Sequence, residues 1–62
     1  MNIEIHVNGV SSGEIQGDTA IRVIDHIKST KHVIWNGLSH EVRRVEFDVD
    51  EEKYHVWLET ED

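Results

Sequence analysis

The chain has no cysteine and no proline. The first absence excludes disulfides and thiolate zinc centres, and it is compatible with a reducing compartment. The second leaves the turns to the four glycines, which fall at plausible turn positions. Positive charge is scarce: six lysines and arginines stand against thirteen acids, for a net charge of -7. Such a balance repels nucleic acid and membrane surfaces, so neither is expected as a direct partner. No apolar run approaches the roughly 20 residues of a membrane-spanning helix. The opening Met1-Asn2-Ile3-Glu4-Ile5-His6 lacks a basic region followed by an apolar stretch, so no ordinary signal peptide is expected and the cytoplasm is the default location.

Sixty-two residues allow one small domain, 1–62. A chain of this size buries only about 60% of its unfolded surface, which leaves a thin stability margin. With no disulfide to widen that margin, a homo-oligomer is an expected remedy.

The charge is unevenly spread. Residues 1–21 carry Glu4, Glu14 and Asp18. Residues 22–44 carry Arg22, Lys28, Lys31, Arg43 and Arg44 against Asp25 and Glu41. Residues 45–62 set eight acids against Lys53 alone. The acidic last third admits two readings. It is either a solvated face that blocks edge-to-edge strand pairing or an array of carboxylates mimicking DNA phosphates.

Ile3, Ile5 and Val7 alternate with Glu4 and His6, the pattern of a half-buried strand. Asn8-Gly9 is a hairpin turn signal. The return strand over Val10 to Gln16 is weak, because Ser11, Ser12 and Gly13 are poor strand formers. Residues 18–30 read as a helix. Ala20, Val23, Ile24 and Ile27 share one stripe with Ile21 at its edge, Asp18 is the expected N-cap, and Lys28 and Lys31 suit the C-terminal end. A strand is the competing reading there, and an all-β SH3-like small barrel the competing fold.

Val33 to Trp35, Asn36-Gly37 and Leu38 to Val42 make a second hairpin with a type I′ turn. It pairs Trp35 with Leu38 and Val33 with His40. A bulge near Arg43-Arg44 is then needed, because Val45, Phe47 and Val49 lie on the opposite phase from Leu38, His40 and Val42. The last hairpin runs Val45, Phe47, Val49 and Tyr54, Val56, Leu58 inward, with Asp50-Glu51-Glu52-Lys53 as the turn. That register sets Asp48 against His55, Glu46 against Trp57 and Arg44 against Glu59. The expected fold is α+β: a small antiparallel sheet with one helix, order ββαβββ.

The five histidines, His6, His26, His32, His40 and His55, show no HxH, HxxxH or HExxH spacing, so no metal site and no cofactor are expected. His55 beside Asp48 offers a pH-sensitive pair. Ser11, Ser12, Ser29 and Ser39 lie outside any nucleophile-elbow context, and a chain this small struggles to enclose a dry pocket. No enzyme activity is expected.

Trp57 is the most informative residue. Its neighbours Val56 and Leu58 point inward, so Trp57 faces outward with Arg44, Glu46, Asp48, His55 and Glu59. A tryptophan on a charged face is a candidate interface anchor, and the alternative is that another element covers it as core. The expected partner-binding residues are Trp57, Arg44, Glu46, Asp48 and His55.

The segments Val33-Ile34-Trp35-Asn36-Gly37, His40-Glu41-Val42, Val45-Glu46-Phe47-Asp48-Val49-Asp50 and Val56-Trp57-Leu58-Glu59 resemble short β-meander proteins of Gram-positive bacteria and their phages. The resemblance covers about residues 32–59, rests mainly on hairpin pattern and carries over no catalytic or ligand residue. It implies a phage or prophage origin, and with it an inhibitor of a host factor or defence component. The reading that follows is a small acidic binding protein that modulates or inhibits a protein partner. The alternatives are a DNA mimic and an oligomeric small-molecule sponge using Arg22, Lys28, Arg43 and Arg44 as anion contacts.

Overall fold

A computed structural model describes residues 1–61. The elements are β1 (Asn2–Val7), β2 (Val10–Gln16), α1 (Gly17–Ser29), β3 (His32–Trp35), β4 (Leu38–Asp48) and β5 (Lys53–Thr60). This is the expected α+β order, and residues 17–29 are helical, which removes the all-β alternative. The strands form one curled sheet in the order β2-β1-β5-β4-β3. Neighbours are antiparallel except the central pair, β1 and β5, which run parallel. The parallel pair follows from the connections. The first hairpin and the β3-β4-β5 meander each fold on themselves, and the meander's last strand meets the first hairpin at β1.

Turn chemistry fixes both Asn-Gly hairpins. Asn8 and Gly9 have φ of 52° and 85°, and Asn36 and Gly37 have 53° and 81°. Two successive left-handed residues are what a type I′ turn requires, and Asn followed by Gly tolerates them at least cost. The parallel pairing extends past β1. The Asn8 amide donates to the Leu58 carbonyl at 2.9 Å, and the Asn8 side chain bonds both the Thr60 amide (3.1 Å) and the Thr60 hydroxyl (3.3 Å).

The helix packs one stripe on β1 and β2. Ala20 and Ile24 are buried with Ile3, Ile5, Val56 and Leu58, and Val23, Ile27, Ile15, Val33 and Trp35 close around them. Ile21 is exposed, as its place at the stripe's edge implies. Asp18 is not the N-cap. The flanking residue is Gln16, without a side-chain capping bond, and Asp18 sits in the first turn, where its charge still complements the helix dipole.

Two bulges shape the sheet. In the β1–β2 pair, Ile5 faces Gly13 and His6 faces Ser11, so Ser12 is the extra residue. The chain expected to be a weak strand is thus a paired strand with a kink where its serines lie. Ser12 Oγ accepts a 2.9 Å bond from Trp35 Nε1. Trp35 belongs to β3, at the opposite edge of the sheet, and its ring also lies over Gly13, where an added Cβ would come within 3.2 Å. One indole therefore ties the two edges together and bends the sheet around the core.

The second bulge falls between Val42 and Arg44, at the place the strand phase requires. Beyond it the final hairpin departs from the expected register by two residues. Asp48 pairs with Lys53, Glu46 with His55, and Arg44 with Trp57. The turn spans Val49 to Glu52, with Glu52 at φ 54°, and Lys53 begins β5. Val49 is accordingly 74% exposed in the turn, not inward, and Phe47 is 47% exposed beside Tyr54 beyond the helix's cover. Because the shift is two residues, each side chain keeps its face.

Candidate functional site

The sheet face turned away from α1 carries the polar side chains of three adjacent strands. On β5, Val56 and Leu58 go to the core, so Lys53, His55, Trp57 and Glu59 go the other way. The parallel register sets Glu4 beside His55 and His6 beside Trp57. The antiparallel register sets Glu46 beside His55 and Arg44 beside Trp57. The expected contact residues Trp57, Arg44, Glu46, Asp48 and His55 therefore share one surface.

Trp57 is only half-buried, and its cover comes from neighbours on the same face. From β1, the His6 ring stacks on the indole at 4.8 Å and 9° between planes. From β4, the Arg44 guanidinium lies 4.1 Å from the ring centre. His55 adds a looser stack at 5.5 Å. Offset stacking and cation–π attraction hold the indole upright without closing it off from solvent. Shallow grooves lie on both sides. One is lined by Asn8, Arg43, Arg44 and Glu59, the other by His6, Glu46, Phe47, Asp48 and His55.

The two histidines meet each other. His6 Nε2 and His55 Nδ1 are 2.9 Å apart, and His6 Nε2 is 3.4 Å from Glu4 Oε2. The second nitrogen of His55, Nε2, is 3.8 Å from Asp48 Oδ2. Glu4 is fixed from its other oxygen: Lys53 Nζ donates to Oε1 at 2.7 Å and lies 3.7 Å from Glu14. The lysine hydrogen bond holds the Glu4 carboxyl below its ordinary range, and the same bond raises Lys53 above its own. The Asp48 carboxyl is lowered chiefly by the Glu51 backbone amide, which donates to Oδ1 at 3.1 Å.

His6 and Glu4 were missed as site residues because they read simply as the outward positions of an alternating strand. Their proximity to His55 depends on a parallel pairing 49 residues apart, which leaves no short-range spacing to find. The available signal was that Glu4 and His6 are two apart on one strand face.

The basic side chains of the middle segment do not gather in one place, although Arg43 and Arg44 border the same groove. Arg22 and Lys28 are on α1, whereas Arg44 lies on the opposite side of the sheet. Arg43, the bulge residue, is engaged by Glu41 at 2.9 Å and Glu59 at 3.1 Å. An apolar cleft of about 200 Å³ lies between the helix and β3, lined by Ile15, Val23, Ile27, Val33 and Trp35 among others. It is smaller than the roughly 300–1,000 Å³ of small-molecule sites. Of the acidic run, Asp62 lies outside the described residues. Among the described residues no helix is long and apolar enough to cross a membrane.

No protein-family model matches the chain, and no curated protein or solved structure matches it either.

Proposed function

We propose that this domain is a small acidic interaction protein that docks on a protein partner through the outer sheet face, with Trp57 as anchor. The observation that carries this reading is the indole held between His6 and Arg44 with an edge left to solvent. An aromatic already fixed in place loses little conformational freedom when a partner covers it, which favours it as a binding hot spot. The grooves beside it are open, as suits a protein surface more than a small molecule. Asp48 and the turn acids Asp50, Glu51 and Glu52 give the rim a negative end, so the partner's complementary rim is basic. The resemblance to phage meander proteins adds an expected setting, in which the partner is a host factor and the outcome is inhibition.

A DNA-mimic reading has less support. Its array needs free carboxylates, and several on this face are already matched: Glu46 by Arg44, Glu59 by Arg43, and Glu4 by Lys53.

The test is affinity capture from host lysate with the whole chain, its Trp57→Ala variant and an Ile34→Ser control on β3. The same protein should be retained by the first and third and lost by the second. Equal capture by Trp57→Ala would refute the anchor role.

A further inference from the structure

We propose that Glu4, His6 and His55 form a binding site for one divalent transition-metal ion of the zinc class. The site goes beyond the docking reading and stands whether or not Trp57 anchors a partner.

Three potential donor atoms converge. His6 Nε2 lies 2.9 Å from His55 Nδ1 and 3.4 Å from Glu4 Oε2, and all three lie within 4.8 Å of one another. A tetrahedral ion with bonds of about 2.05 Å needs its donors roughly 3.3 Å apart. The histidine–carboxylate distance already meets that. The two imidazoles now face each other head-on, with ring centres 5.2 Å apart; to share an ion the nitrogens need to separate by about 0.4 Å and each ring to swing by about 35°, so that both lone pairs converge at the tetrahedral angle. Without an ion the two imidazoles hydrogen-bond each other. A single proton between the rings satisfies one nitrogen pair, while the Glu4 oxygen beside them faces the same nitrogen.

The surroundings also suit an ion. Lys53 occupies Glu4 Oε1 and leaves Oε2 turned toward His6. Asp48 stands at 3.8 Å from His55 Nε2, on the far side of the ring from the donor nitrogen. A carboxylate behind a ligating imidazole is its usual outer partner, and Asp48 would take that part by closing from 3.8 Å to hydrogen-bond distance. The like charges of Lys53 and Arg44 are offset by Glu14, Glu46 and Asp48. Two imidazoles and one carboxylate, without thiolate, select zinc, cobalt, nickel or copper over calcium or magnesium. Three protein donors leave one position to solvent, the open form of such a centre.

The position in the fold supplies rigidity. Glu4 and His6 sit on β1 and His55 on β5, the central parallel pair, with Ile3, Ile5 and Val56 fixed in the core beneath. Sites built on paired strands hold their donors more tightly than sites on loops.

The experiment uses the full chain, freed of metal with a chelator and titrated with Zn²⁺ by calorimetry. One ion per chain is expected, with His6→Ala and His55→Ala each weakening binding at least about tenfold and Asp48→Asn roughly tenfold. His26→Ala, on the helix, should leave binding unchanged. In the wild-type chain, imidazole nitrogen NMR should show the His6 Nε2 and His55 Nδ1 signals moving on Zn²⁺ addition while His26 and His40 stay fixed. This readout decides the matter even if an alanine variant fails to fold. No saturable binding below about 0.1 mM Zn²⁺, or nitrogen signals that report only a shared proton, would overturn the site.

Discussion

Trp57 and Leu58 are neighbours in the chain and opposites in the fold, so replacing each with alanine tests the face assignment directly. Leu58 is 2% exposed and belongs to the helix-covered core. Truncating a leucine in such a place costs about 2–5 kcal/mol, through lost burial and the cavity left behind. A domain of this length has about 3–9 kcal/mol in total, at the usual stability per residue. Leu58→Ala should therefore remove a large share of the stability. Trp57→Ala opens no core cavity. It gives up a surface cation–π contact of about 0.5–1 kcal/mol and a ring stack of about 0.5–1.5 kcal/mol. The expected loss is about 1–2.5 kcal/mol. Urea unfolding followed by far-ultraviolet circular dichroism separates the cases. With a slope near 1 kcal/mol per molar, Trp57→Ala should shift the midpoint down by about 1–2.5 M and keep its native baseline. Leu58→Ala should begin to unfold with little or no denaturant. If Trp57→Ala proves the more damaging of the two, the strand phase is wrong, and with it the outer face.

Two further perturbations probe the remaining polar features. His40 is 2% exposed, and its Nδ1 has no hydrogen-bond partner; His40→Leu removes that orphan and should raise stability by about 1 kcal/mol in the same urea assay. Trp35→Phe deletes the donor that reaches Ser12 and should cost about 0.5–1.5 kcal/mol. Ser12→Ala should cost a similar amount, and the double variant no more than the larger single loss; full additivity would mean that the two edges are not coupled there.

The parts of this fold legible in the sequence are those set by local rules. Asn8-Gly9 and Asn36-Gly37 declared their hairpins, the spacing of Ala20, Val23, Ile24 and Ile27 declared the helix, and the phase conflict around Arg43 declared the bulge. The register of the last hairpin differs by two residues from the one its charges predict. Charge pairing of Arg44 with Glu59 favours a turn centred one residue later, yet Lys53 is held in the strand opposite Asp48 and bonded to Glu4, a contact from a distant strand. Because the error was even, the surface composition came through intact while the partners changed. Arg44 moved from a carboxylate to the indole, and Trp57 acquired the stack that orders it. The cluster of Glu4, His6 and His55 was out of reach for a different reason. It depends on a parallel pairing between the ends of the fold, and neither strand carries a mark of the other.

That central pairing also constrains how the molecule can assemble. Strand β5 supplies Val56 and Leu58 to the core, and it lies between β1 and β4. Until β5 is in place, the first hairpin and helix have only half a floor to pack on. Closing a loop of some fifty residues precedes the reward of the contacts it brings. The sheet and core therefore cannot close until β5 joins them, and the two halves form together.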